Sequence, residues 1–167
     1  VVDMVIEPPM LLRPGGITLE QMEAVIGSVQ VDPTIAHNSL DGIIIPKSPG
    51  MKYKHYAPKA NVIIIEGEVI NITSKINQLV KEYEDRNIKV GILATEETKN
   101  LYPEKLTVSL GSRLSPETIA ANLFKALRDF DKTDTQTIFA EAIDSSGIGL
   151  AIMNRMNKAA GYNIIKV

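Results

Sequence analysis

A chain of 167 residues with 44% hydrophobic content can build a real core, which excludes wholesale disorder. A net charge of −2 excludes a general basic field for holding nucleic acid, and the lack of cysteine excludes disulfides and thiolate zinc sites. Two histidines, His37 and His55, are too few for a histidine-based metal site, and no apolar run approaches the roughly 20 residues of a membrane span. No signal peptide is visible. The chain opens on Val1-Val2-Asp3, not Met, and reads as a fragment or processed piece.

Residues 1–7 (VVDMVIE) predict a short strand, ended by Pro8-Pro9. Arg13-Pro14-Gly15-Gly16 is a turn by composition. Thr18 and Gln21 have capping-box spacing and open a helix carrying Met22, Val25 and Ile26 on one side, with Gly27 as its stop. One strand and one short helix cannot bury a core alone, so residues 1–31 read as the end of a domain whose body lies elsewhere. Residues 32–60 carry Pro33, Pro46, Pro49 and Pro58 with no period of 2 or 3.6, which suits an interdomain linker.

From Asn61 the pattern changes. NVIIIEG is a continuous apolar run, the mark of a strand buried on both faces. Thr73 to Arg86 is amphipathic, with Ile76, Leu79, Val80 and Tyr83 on one face; IKVGILAT and KLTVSLG predict two further strands. Ser115 as N-cap and Pro116 at the first helical position open a helix whose stripe is Ile119, Leu123, Leu127 and Phe130, widened by Ala120 and Phe124. QTIFAEAI predicts a fourth strand, and Gly147-Ile148-Gly149 lead into a last helix, LAIMNRMNKAA. Strand and helix alternate, so residues 61–167 predict an α/β domain with a mostly parallel sheet flanked by helices.

Several stretches could carry chemistry. The glycines of SSGIGLA suit a phosphate cradle or a tight strand-to-helix turn; the missing third glycine of the dinucleotide fingerprint, and a place after the last strand, favour the turn. The same stretch puts Asp144-Ser145 at the carboxyl edge of the sheet, together with Thr95-Glu96-Glu97 and Gly111-Ser112-Arg113, where open α/β sheets usually hold ligands. Lys125, Arg128, Arg155 and Lys158 read as cations on solvated helix faces. Arg13 sits on an exposed turn, where a guanidinium can project toward phosphate or carboxylate. The densest signal is SPGMKYKHYAPKA, residues 48–60. Its Tyr and His rings can stack and its lysines can meet phosphate, while Pro49 and Pro58 limit its freedom. A lid over a nucleotide-like ligand and a linker packed on a neighbouring domain both fit.

Ser48-Pro49-Gly50-Met51-x-Tyr53-x-His55-Tyr56-x-Pro58 resembles the linker signature of the long, two-domain threonylcarbamoyl-AMP synthases. The opening VVD with LLRPGGIT resembles the end of that family's YrdC-like catalytic domain, and NLFKALRDFD and GIGLAIMNRMNKAA resemble two helices of its C-terminal domain. The resemblance implies a truncated catalytic-domain end (1–31), a linker (32–60) and a Rossmann-like C-terminal domain (61–167). It implies an enzyme, inactive as this fragment, that joins L-threonine, bicarbonate and ATP with pyrophosphate release. Partner proteins then pass the product to tRNA, without direct nucleic-acid binding by this fragment. Magnesium accompanies the nucleotide, no cofactor belongs to the C-terminal domain itself, and the setting is cytoplasmic with no membrane. By the same resemblance Arg13 and Tyr53 contact ATP. Lys52, Lys54, His55 and Tyr56 are lid residues without assigned roles, and no catalytic or metal-ligating residue falls within this chain. The alternative is a stand-alone Rossmann-like module that binds a nucleotide or small effector.

Overall fold

Four consecutive apolar residues, Val62 to Ile65, all become buried, and a strand can do this only with helices on both of its faces. The computed structural model describes residues 1–36 and 57–167. In chain order the strands are β1 (Val2–Asp3), β2 (Met10–Leu11), β3 (Gln30–Val31), β4 (Asn61–Glu66), β5 (Val90–Ala94), β6 (Thr107–Ser109), β7 (Thr137–Glu141) and β8 (Ile164–Lys166). The helices are α1 (Leu19–Ile26), α2 (Pro33–Ala36), α3 (Val69–Glu84), α4 (Pro116–Phe130) and α5 (Gly149–Ala159).

The main sheet has the order β6-β5-β7-β4-β8 and every pairing in it is parallel. Alternate residues of each strand serve opposite faces. Ile63, Ile65, Ile92 and Phe139 pack with Ile72, Ile76, Leu79 and Val80 of α3. Val62, Ile64, Leu93 and Ile138 pack with Ile119, Leu123 and Leu127 of α4 and Ile152 and Met156 of α5. The handedness rule explains this division. The chain steps one way from β4 to β5 and the other way from β6 to β7 and β7 to β8, so right-handed crossovers put α3 on one face and α4 and α5 on the other. Counted from β4, the order is 3-2-4-1-5, with β7 inserted between β4 and β5; the class is the α/β one expected, and the sheet expected to be mostly parallel is wholly so.

Local signals match the observed elements unevenly. Thr18 and Gln21 form the reciprocal capping box of α1, at 3.3 and 3.0 Å, and Gly27 ends the helix at φ 81°. Pro116 does stand at the start of α4, but Ser115 makes no side-chain cap; Thr118 Oγ1 instead accepts the Ser112 N–H at 3.0 Å. Helix α3 begins at Val69, four residues before the expected start, because no capping side chain marks its entrance. The expected strand over 1–7 contracts to Val2–Asp3, and the three-residue β8 carries too little pattern to be read in advance.

β1, β2 and β3 form a separate small sheet over a core of Leu11, Val29 and Ile35, against which Leu150 of α5 packs. Val25 is 83% exposed, so the expected apolar side of α1 is uncovered within this chain. Among the described residues six of the eleven exposed large apolar side chains fall in residues 1–26, which makes this segment the least self-contained part of the described fold. No helix of the described residues is long and apolar enough to cross a membrane.

Close packing leaves one position in the main sheet without room for a side chain. A Cβ on Gly91 would lie 2.3 Å from the Phe130 ring. Gly91→Ala must displace that ring and should cost about 1–3 kcal/mol, measured by urea unfolding. Phe130→Leu in the same background should recover part of the loss, and a fully stable Gly91→Ala chain would contradict the packing.

Candidate functional site

Neighbouring strands β5 and β7 send their outgoing connections in opposite directions, so a crevice opens between their carboxyl ends. This is where an α/β sheet normally receives a ligand. Here the protein fills it with its own side chains. Glu141, the last residue of β7, has no exposed surface. A carboxylate in that position must be paired and fully hydrogen-bonded. Arg113, from the loop after β6, reaches Glu141 Oε2 at 2.9 Å with Nη2 and Thr95 Oγ1 at 3.1 Å with Nε. Thr95 donates to the same carboxylate oxygen from its N–H at 3.3 Å and its hydroxyl at 3.2 Å. Tyr102 donates to Oε1 at 2.6 Å. Burial, then the carboxylate it bonds, pushes the Tyr102 phenol well above its ordinary range. Both oxygens are thus satisfied, and the network closes the crevice.

A second acid fastens the rim. Glu97 Oε1 accepts from Ser112 Oγ at 2.6 Å and from the Arg113 N–H at 2.9 Å, holding the loop that presents Arg113. Burial alone would raise its pKa; the bonds from Ser112 and the Arg113 N–H outweigh it and bring the carboxyl down to about 2. Two of the expected edge groups, at Thr95–Glu97 and Gly111–Arg113, therefore do meet. Glu141 and Tyr102 carry no expectation from the sequence reading. The available signal was a single acid inside the apolar run TIFAEAI, where a charge requires a partner.

Asp144 and Ser145 do not join this network. Asp144 closes a local turn, accepting the Ser146 N–H at 3.0 Å and hydroxyl at 2.9 Å. The loop before α5 is the tight turn. Gly147 has φ 54°, and a Cβ on Gly149 would lie 1.9 Å from the Asp144 carbonyl oxygen. Its Gly147 N–H faces the Glu20 carboxylate of α1 at 3.4 Å. That N–H is thus already engaged by one of the protein's own carboxylates.

Arg13 is exposed on its turn after β2. The turn is held by α5: Arg155 Nη1 donates to the Pro14 carbonyl at 3.4 Å and to Ala151 O at 2.8 Å. A cavity of about 270 Å³ lies beside this contact, between Gly15-Gly16 and the Ala120, Phe124 and Ile152 surface. Arg155 and Lys158 are accordingly half-buried, not displayed on the solvated face expected from the sequence. Lys52, Tyr53, Lys54, His55 and Tyr56 lie outside the described residues.

The Glu141 network should act as a unit. Glu141→Gln leaves Arg113, only 21% exposed at its side chain, without its counter-charge and should cost about 3 kcal/mol. Tyr102→Phe removes a bond to a charged group, worth about 1.5–3 kcal/mol. The double variant should fall short of the sum by more than 0.5 kcal/mol; strict additivity would mean no network. For Glu97 the folded pKa lies below the unfolded value near 4.3. Its contribution is therefore present above about pH 4.3 and lost as pH falls through about 2. Ser112→Ala should raise that pKa, read by carboxyl NMR titration; a value unmoved from about 2 would rule out the assigned cause.

Residues 17–161 match the family model for the C-terminal domain of threonylcarbamoyl-AMP synthase. The threonylcarbamoyl-AMP synthase of Pyrococcus abyssi (strain GE5 / Orsay) is 44% identical over all 167 residues of this chain, which cover 46% of that protein. The threonylcarbamoyl-AMP synthase of Bacillus subtilis (strain 168) is 46% identical over 158 residues, 95% of this chain and 43% of that protein. The crystal structure of P. abyssi Sua5 complexed with L-threonine superposes with a TM-score of 0.85 at 43% identity, over 100% of this chain and 46% of that one. The chain spans less than half the length of these relatives. With the all-parallel sheet and the match over most of its residues, it belongs to the threonylcarbamoyl-AMP synthase C-terminal domain family.

Proposed function

We propose that this chain is the C-terminal part of an enzyme that forms threonylcarbamoyl-AMP from L-threonine, bicarbonate and ATP with pyrophosphate release, the adenylate serving tRNA modification. The observation that carries the reading is the family match, joined to the position of Arg13 on a turn clamped by α5. The exposed apolar side chains of residues 1–26 support a further domain packed there, which residues 1–31 would complete. A related structure holds L-threonine, which fits the same reading.

In this scheme Arg13 meets the phosphates of ATP. Its planar, permanently charged fork suits the negative charge that grows on them as the adenylate forms. The linker acts as a lid. Tyr53 reaches the nucleotide, and Lys52, Lys54, His55 and Tyr56 line the closing segment, which keeps water from a hydrolysable carbamate or adenylate. Magnesium enters with ATP. Among the described residues no group of three or more His, Cys, Asp or Glu side chains could hold a metal ion, and no step here runs through one. The C-terminal domain supplies a rigid platform: α5 holds the Arg13 turn, and Asp131 at the end of α4 accepts the Lys59 N–H at 2.8 Å where the chain rejoins the domain. A stand-alone nucleotide module is the weaker reading, because Glu141 and Arg113 occupy the crevice that such a ligand would need.

The test is pyrophosphate release from ATP. A full-length gene product of the relatives' size should release it only with both L-threonine and bicarbonate present, and the 167-residue chain should release none. In the full-length enzyme Arg13→Ala and Tyr53→Ala should each weaken ATP use, by about 10-fold or more for the charged contact. Unchanged kcat and KM in both variants would sink the lid and phosphate roles.

A further inference from the structure

Between α5 and the edge strand β8 lies a cavity of about 310 Å³. That is the lower end of the range of small-molecule sites, about 300–1,000 Å³. Its polar groups come from three elements. Asn154 of α5 is 8% exposed, and among the described residues its side-chain amide makes no hydrogen bond. Nearly all buried polar side chains have a partner, and one without it is costly. Glu66 ends β4 and Lys166 ends β8, at paired positions of the register. The Glu66 side chain is 42% exposed as a whole, yet its Oε2 is buried and accepts no hydrogen bond. Lys166 Nζ stands 3.7 Å from that oxygen, an ion pair too long for a hydrogen bond. Lys166 is mostly exposed and stands at the mouth of the cavity. Leu150, Met153 and Ile164 give the wall an apolar surface. One cavity thus presents a carboxylate oxygen, an ammonium and an amide, each with hydrogen-bonding capacity to spare.

We propose that this cavity binds a free α-amino acid with an apolar side chain. The pattern of charge selects the class. A simple anion would meet the Glu66 carboxylate, and a simple amine would meet Lys166. A metal ion would find a single carboxylate among these groups. A zwitterion matches both charges. Its ammonium donates to Glu66 Oε2, and its carboxylate accepts from Lys166 Nζ and from the Asn154 amide N–H. One molecule then supplies the partners that Oε2 and the Asn154 amide lack, and its side chain lies on Leu150, Met153 and Ile164. The cavity shares no lining residue with the Glu141 network or with the Arg13 turn. The site therefore stands independently of the reaction proposed above.

Calorimetric titration of this chain with L-valine tests the site without turnover. Saturable binding is expected, with a rise in Tm at saturation. N-acetyl-L-valine lacks the ammonium and L-valinamide lacks the carboxylate; each should bind more weakly by about 10-fold or more. L-threonine would put a hydroxyl against the apolar wall and should bind less tightly than L-valine. Glu66→Gln should weaken L-valine by about 10-fold or more. Lys166→Met, at the exposed mouth, should weaken it by about 2- to 5-fold. Asn154→Leu should abolish binding yet leave the Tm of the free chain equal or higher, because an amide without a partner gives way to an apolar side chain of similar volume. Lys99 pairs with Glu96 away from the cavity, so Lys99→Met is the control and should bind as the unaltered chain does. No saturable binding of L-valine up to tens of millimolar would overturn the site and leave a cavity for water alone. Equal binding of N-acetyl-L-valine, tighter binding of L-threonine, or an unchanged affinity in Glu66→Gln would each overturn it as well. A lower Tm in Asn154→Leu would show that the amide already has a partner, and would overturn its role.

Discussion

A carboxylate with no exposed surface is the constraint on which the carboxyl edge of this domain is organised. A carboxyl group buried at the end of β7 needs hydrogen-bond partners on both oxygens. Meeting that demand draws in the end of β5 through Thr95, the connection after it through Tyr102, and the loop after β6 through Arg113. Three separate segments are thereby fixed in one place, and Glu97 in turn fixes the loop that carries Arg113. The result is a sheet whose usual ligand crevice has become a structural joint. Fold class alone would have suggested a nucleotide seat there; the side chains fill it.

Right-handed crossovers put α4 and α5 together on one face, and it is α5 that meets the N-terminal segment. Leu150 enters the small apolar cluster around Leu11, Glu20 holds the loop that starts α5, and Arg155 holds the turn that carries Arg13. Apolar packing, an acceptor at a helix entrance and a guanidinium on a carbonyl are three different contacts with one effect. A turn placed between two units stays in register with both. That arrangement fixes the backbone beside an exposed Arg13.

The elements of residues 61–167 were legible because each carries a local signature. An apolar run of four, a stripe at helical spacing and a Pro at a first helical position depend only on neighbours along the chain. The capping box of α1 is legible for the same reason. Ser115 is a useful counterexample: it stands at the N-cap position, yet Thr118 supplies the side-chain bond, because the loop from Ser112 comes close enough to use it. Val25 is another, an apolar residue at core spacing that this chain leaves exposed. The linker motif pointed to the family, and the family match agrees, although the motif's own residues are outside the described structure.

By itself the sequence determined the α/β class, the apolar faces and the turn at Arg13, since these follow from periodicity, glycine and proline. Only the tertiary structure decided which strand ends became neighbours. Placing β7 between β4 and β5 depends on how crossovers pack across the whole sheet, and no local pattern records it. That order brings Glu141 to Arg113 across 28 residues of chain, and the packing of α5 brings Arg155 to Pro14 across 141. Both pairs are made of residues whose types were visible from the start and whose partners were not, because charge pairing is set by distance in space and not by distance along the chain.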